Sequence, residues 1–386
     1  MSSTIDTASQ QYRNRPADEC FPSLPALVAH AHHERQLSAE RTYNLKDLHV
    51  TAESGKLELA SPRGAASFTH WSFSQLARTV GAPAGYLRDE LSPELAAACL
   101  NHGLQESTSG TTARLLVRGQ NDRPPIVRAV STESYGRLWD AELYSGIEHQ
   151  IARHGASSGG EWGLPPTWSG EPRGAYRGDR DSFLVIVNGG SIVADPSLAS
   201  MQTRATNAIA PGGNTGPVDG LFRGLLVRNS EVGASSVVIE CILFRYICGN
   251  HILWGATIDR SYRRRHVGSD VARDVLREIG SIAYKWANHS AARDEAIIRG
   301  LIDREIAHTR EAVIDELRAM GATKEQAEHA YDTCERTESA SPRSFWGIAQ
   351  GFTRDSQTDA GYQDERYQLD RLAAVVLARG AKLVAA

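Results

Sequence analysis

The residues best suited to chemistry gather between Leu225 and Ser269. Arg260-Ser261-Tyr262-Arg263-Arg264-Arg265-His266 sets four guanidinium groups around one phenol ring, with Trp254 a short way upstream. Guanidinium groups contact phosphates and aromatic faces stack on bases, so this mixture is what a single-stranded nucleic acid site needs. From Arg260 to Arg277, six arginines stand against Asp270 and Asp274, a local excess of four positive charges. The chain as a whole runs the other way: 42 Lys and Arg against 46 Asp and Glu leave −4. That balance excludes a protein that coats nucleic acid with a globally basic surface, so any polyanion site must be local. The bland account of the same arginines is a solvated loop ahead of a helix, or ion pairs within the fold. Both accounts stand open at this point.

A second candidate is Asn229-Ser230-Glu231-Val232-Gly233, placed where a strand should give way to a turn. A lone Glu at a turn is ordinarily solvated; its functional reading is a metal-binding or general-base carboxylate, although no second carboxylate follows at a useful spacing. Cys241, Cys248, His251 and His266 suggest zinc, but only Cys248-x-x-His251 is closely spaced and no partner pair accompanies it. No metal and no cofactor are expected. Asn250 and His251, just past the strand, could instead hydrogen-bond their own backbone in a turn.

Other signals weigh less. His30, His32 and His33 resemble a metal tract and fit a polar helix face better. Gly189-Gly190 and Gly212-Gly213 lack the G-K-[ST] context of a phosphate loop, and no G-x-S-x-G nucleophile elbow occurs. Arg114, Arg118, Arg123 and Arg128 add a second local excess of positive charge, on one face of a groove or on a solvent-facing hairpin.

The elements that must position these groups follow from periodicity. Ser72 and Gln75 suggest a capping box with Trp71 and Leu76 as its staple, hence a helix to about Val80. Ser92-Pro93-Glu94 starts another. Arg114–Arg118 and Ile126–Val130 read as a hairpin, and Tyr135–Arg153 as a helix. Residues 156–180 read as a loop or linker. Phe183–Val187 should be a strand ended by a hairpin turn at Asn188-Gly189-Gly190. Leu221–Val227 and Val237–Ile247 are the strongest strand candidates, the latter central because both its faces are apolar. From Ser269 the pattern turns helical: one set of apolar positions runs Val271 to Trp286, and a second runs Ile298 to a stop at Gly321. Thr323 and Gln326 form a capping box, Ser341-Pro342 starts a further helix, and the last helix covers about Asp364–Ala378.

The expected architecture is α+β, a mostly antiparallel sheet flanked by helices with a helical C-terminal third. Its parts are a disordered N-terminus over 1–18, an N-terminal α+β portion over 19–155, the linker, a β-rich core over 181–268 and helices over 269–386. Hydrophobic residues make up 41% and charged residues 23%, as in folded soluble proteins. The chain shows neither a secretion signal nor a spanning segment, and its five cysteines are scattered, so a cytoplasmic location without membrane contact is expected.

These residues resemble a family, the phage- and plasmid-encoded domain of unknown function 932. The likeness rests on Arg128-Ala129-Val130-Ser131-Thr132-Glu133-Ser134-Tyr135, on Gly224–Gly233 with its Asn-Ser-Glu-Val-Gly, and on Phe244-Arg245-Tyr246-Ile247-Cys248-Gly249-Asn250. Arg264-Arg265-His266-Val267-Gly268 and Phe345–Arg354 extend it over roughly residues 25–380, while His251 stands where the pattern more often has a small or apolar residue. The resemblance implies DNA metabolism of mobile elements, a role like that of single-strand-annealing proteins, and self-assembly into a homo-oligomer. The leading expectation is therefore a non-enzymatic single-stranded DNA-binding protein: Arg260, Arg263, Arg264, Arg265 and His266 on phosphates, and Tyr262 or Trp254 under a base. The alternatives are a metal-assisted nuclease or nucleotide hydrolase using Glu231, His251 and His266, with Asn229 and Asn250 near them, or a phage protein that binds and blocks a host protein.

Overall fold

The computed structural model describes residues 19–53, 55–120, 123–155, 162–164, 174–193, 221–245, 250–253, 261–289, 291–358 and 363–384. The expectations for residues 1–18, Trp254 and Arg260 lie outside these. The fold is α+β, with 50% of the described residues helical and 27% in strands. Among the described residues there are two sheets rather than one.

The smaller sheet is formed by β2 (Ser38–Asn44), β3 (His49–Glu53), β4 (Lys56–Ser61), β5 (Gly64–Phe68), β6 (Thr112–Gln120) and β7 (Arg123–Ser131), in the order β2-β6-β7-β5-β4-β3. Its pairs are antiparallel except β5 with β7. The expected hairpin is there, with Leu115 opposite Val130. Three helices sit on one face: α2 (His70–Thr79), α3 (Ala84–Asp89) and α4 (Pro93–Gln105), whose Phe73, Leu76, Leu87, Leu100 and Leu104 meet Leu59, Leu115 and Val127. Burying each such side chain contributes about 1.5–3 kcal/mol before chain entropy is subtracted. Ser92 caps α4 as expected. The α2 cap differs: Thr69 is the N-cap and Ser72 its reciprocal partner, so the box begins three residues early. Gln75 is thereby free to reach the neighbouring sheet.

The larger sheet contains β1 (Cys20–Phe21), β8 (Trp162–Gly163), β9 (Ala175–Arg177), β10 (Ser182–Val193), β11 (Leu221–Asn229), β12 (Val237–Arg245), β13 (Asn250–Leu253) and β14 (Ser261–Arg264), all antiparallel. β12 is central, with β11 on one side and both β13 and β14 on the other. Two expectations fail here. β10 continues through Asn188-Gly189-Gly190 with a register shift instead of turning, because glycine accommodates an irregular strand as readily as a hairpin. Part of the expected linker forms β8 and β9, short strands that pair with β10, while β9 also takes β1 from the far N-terminal side as its second neighbour.

The N-terminal segment belongs to this larger sheet: β1 pairs with β9, and α1 (Leu24–Gln36) packs on α5 (Asp140–Gly155). The expected boundary at residue 155 is therefore crossed. α5 starts at Asp140, not Tyr135, leaving 135–139 as a connector between the sheets. Val237, Ile239, Cys241 and Leu243 pack with Val271, Val275 and Ile279 of α6 (Val271–Ala287). Val185, Leu226 and Ile242 look the other way, toward Ala374 of α11 (Gln363–Val384). The second helical set is two helices, α7 (Ala291–Asp303) and α8 (Arg310–Ala319). Next come α9 (Lys324–Thr337), with the expected Thr323–Gln326 box, and α10 (Phe345–Thr358), which starts after Ser344 rather than at Ser341. Among the described residues no helix is long and apolar enough to cross a membrane.

Candidate nucleic-acid interface

Where the sheets meet, Leu116 and Ala129 of the small sheet pack on Trp139 and Val232, with Trp71 against them. Gly233 follows with φ 79°, a turn that needs glycine, and brings the preceding residues back toward the small sheet. Both Trp71 Nε1 and Gln75 Nε2 donate to the carbonyl of Val232, at 2.9 and 2.8 Å. Glu231, expected as a solvated or catalytic carboxylate, is buried to 3% exposure. Its Oε2 accepts from Arg128 of β7 at 2.8 Å and Arg177 of β9 at 2.9 Å, while Oε1 accepts from the backbone N–H of Asp140. The last bond satisfies an orphan donor at the start of α5. Arg137 donates to the Glu231 carbonyl and to the Glu40 carboxylate. Asp140 in turn accepts from Arg177, Ser182 and Asn229. Both carboxylates are spent on the junction.

The electrostatics follow this geometry. Burial alone would push the Glu231 carboxyl up, but Arg177 and then Arg128 hold it below the ordinary value. Burial, followed by repulsion from Glu231, pushes Asp140 up. Glu231 is therefore a tie between sheets, with its lone pairs already committed, and does not stand ready as a base. Asn229 also has a structural role, donating to the Leu138 carbonyl at 2.9 Å. Three of the hairpin arginines are also paired within the fold: Arg128 with Glu231, Arg118 with Glu34, and Arg114 with the carbonyls of Glu133 and Tyr135, while the Arg123 side chain lies outside the described part.

Beside this tie lies a second contact. The Tyr135 ring stacks on His266 with centroids 5.1 Å apart, and its hydroxyl donates to the Ser230 carbonyl at 2.8 Å. His266 Nδ1–H donates to the Gly136 carbonyl at 3.1 Å, while Gly136 N–H donates to the His266 carbonyl at 3.0 Å. Gly268, at φ 86°, donates to the Ser134 carbonyl. Burial, helped by the Arg137 charge, lowers the His266 pKa against the opposing hydrogen bond that His266 donates to the Gly136 carbonyl. His266 is thus a neutral, buried clasp rather than a phosphate ligand. Three segments singled out in sequence, 128–135, 229–233 and 264–268, therefore converge in space.

The arginine segment is not a loop. Residues 261–264 form the edge strand β14, paired with β12 so that Tyr262 lies opposite Ile239 and Arg264 opposite Val237. Alternation sorts the side chains. Tyr262 packs on the core, and burial followed by Asp274 raises its pKa, so its ring is no open stacking platform. Arg264 pairs with Asp274 at 3.3 Å, both partners about one third exposed. Arg263 and Arg265 are exposed. One turn further on, α6 presents Arg273 and Arg277, each with 71% of its side chain exposed. Tyr284, 48% exposed, continues that helical face beside Lys285. Arg273 and Arg277 touch Asp270 and Glu278, but exposed pairs of this kind are worth about 0–1 kcal/mol and a phosphate displaces them readily.

Asn250 and His251 are placed in β13, paired with Arg245 and Phe244 rather than in a turn; their side chains lie outside the described part. The described residues contain no group of three or more His, Cys, Asp and Glu suited to a metal ion. The residues that sequence reasoning missed are Arg273, Arg277 and Tyr284 as one helical face, which their i, i+4, i+11 spacing could have revealed. Compared with known proteins, the chain matches no described family, no curated protein and no solved structure.

Proposed function

We propose that this protein binds single-stranded DNA along the edge of β14 and along the exposed face of α6 from Arg273 to Tyr284. The observation that carries the reading is the exposed run of Arg263, Arg265, Arg273 and Arg277 on one strand, turn and helix of a chain whose net charge is −4. Phosphates meet the guanidinium groups, and Tyr284 offers a ring face to a base. DNA, rather than another polyanion, is the choice implied by the likeness to phage and plasmid proteins. The arginines do not depend on one another for folding, since each sits at the surface.

Fluorescence anisotropy with labelled single- and double-stranded oligonucleotides across a salt series tests the reading. The expected result is a logarithm of affinity that falls linearly with the logarithm of salt. Affinity that is flat across the series, or unchanged when Arg263, Arg265 and Arg277 become Ala, removes it.

A further inference from the structure

Next to the arginine run lies a cavity of about 300 Å³ between the two sheets, lined by Glu40, Arg114, Ser134, Tyr135, Arg137 and Ser269 among others. We propose that this cavity receives one unpaired nucleobase of the strand bound on the arginines; the inference rests on the function proposed above. Position is the first argument. Ser269, in the lining, is four residues after Arg265 and four before Arg273, so a strand that contacts both arginines is led past this wall of the cavity.

The lining is the second argument. Both ion pairs to Glu40, from Arg137 at 2.9 Å and Arg114 at 3.7 Å, fall on Oε1, so Oε2 keeps lone pairs for an exocyclic amino group. The hydroxyls of Ser134 and Ser269 both donate and accept, and the Tyr135 and Trp139 side chains add ring surface. A flat heteroaromatic with hydrogen-bonding edges matches that mixture. An alkyl ligand would strip water from the carboxylate and hydroxyls without replacing their bonds, and a bare phosphate would face the carboxylates of Glu40 and Glu133. The cavity also reaches the low end of the size range of small-molecule pockets. A base already paired in a duplex has its amino edge occupied and cannot enter.

The test compares an oligodeoxycytidylate with an abasic deoxyribose-phosphate chain of equal length and charge, by anisotropy on the intact protein. The expected result is that the cytosine chain binds about tenfold tighter or more, since one base contact of this kind is worth about 1–3 kcal/mol, with similar salt slopes for both. Ser269→Trp, which fills the mouth from an exposed position, should remove most of the cytosine chain's advantage, leaving only what stacking on Tyr284 supplies, and leave abasic binding unchanged. Ser134→Trp, at the neighbouring exposed lining residue, does the same if the first variant does not fold. Equal, salt-dependent binding of the two chains by the unmodified protein overturns the base pocket and leaves the arginine interface standing. So does a filled mouth that costs nothing. Failure of both chains to bind overturns both proposals.

Discussion

Arginine does opposite work in two neighbouring regions. At the junction, Arg128 and Arg177 are about 3% exposed and each meets a carboxylate at 2.8–2.9 Å. At the β14–α6 edge, Arg273 and Arg277 are 71% exposed, one in a close contact with Asp270 and the other in a longer one with Glu278. The difference is dielectric. A buried guanidinium without its carboxylate is an uncompensated charge in a poor solvent, whereas an exposed one keeps its water whether or not an anion is near. The first kind holds the sheets together; the second is free to exchange one anion for another.

Three substitutions at the junction and three at the exposed edge probe that division, the largest effect first. Glu231→Ala leaves Arg128 and Arg177 without their shared acceptor and should lower stability by about 3–5 kcal/mol in urea unfolding. A loss below about 1 kcal/mol would place the junction with the exposed pairs and erase the contrast. Gly136→Ala drives a methyl group into the Gly268 carbonyl and should cost about 1–3 kcal/mol, read as a shift in the urea midpoint at constant slope. His266 supplies a pH signature. Its folded pKa lies below the unfolded value near 6.5, so its contribution is complete above that pH and is lost as pH falls toward the folded pKa. His266→Gln should flatten the corresponding part of the stability-pH profile, and an unchanged profile would remove the clasp as its source.

At the other end of the scale, Arg263→Ala, Arg265→Ala and Arg277→Ala should each change stability by no more than about 0.5 kcal/mol. Combined, they should reduce the salt slope of single-strand binding by about two, because each phosphate contact contributes about 0.7. A triple variant that unfolds in less urea while binding as before would reverse the roles of the two regions.

Local pattern carried much of the fold. The β6–β7 hairpin, the centrality of β12, the Ser92 and Thr323 caps and the helical C-terminal third all follow from signals within a dozen residues. What stayed hidden depends on remote partners. Glu231 reads as a solvated turn residue because Arg128 lies 103 positions away, and no local spacing announces that bond. The membership of Cys20–Phe21 in the larger sheet is invisible for the same reason. β14 escaped because three consecutive arginines argue against a strand, although charged residues are common on edges, where they discourage pairing with another chain. At the site, sequence marked the 260–277 segment by its arginine content but could not assign each arginine a face. Period-two alternation withdrew Tyr262 from the surface and the contact with Tyr135 and Gly136 withdrew His266, while Arg263 and Arg265 stayed on it.

Glu231 also governs how this molecule can be divided. A fragment spanning the smaller sheet alone, roughly 38–131, would carry Leu116 and Ala129 bare to water and Arg128 with nothing to neutralise it. Its complement would hold Glu231 with one of its three carboxylate donors gone. Neither piece keeps a closed surface, so a single cooperative transition is expected on heating or in denaturant, and a protease that nicks the intact protein should release no separately stable smaller lobe.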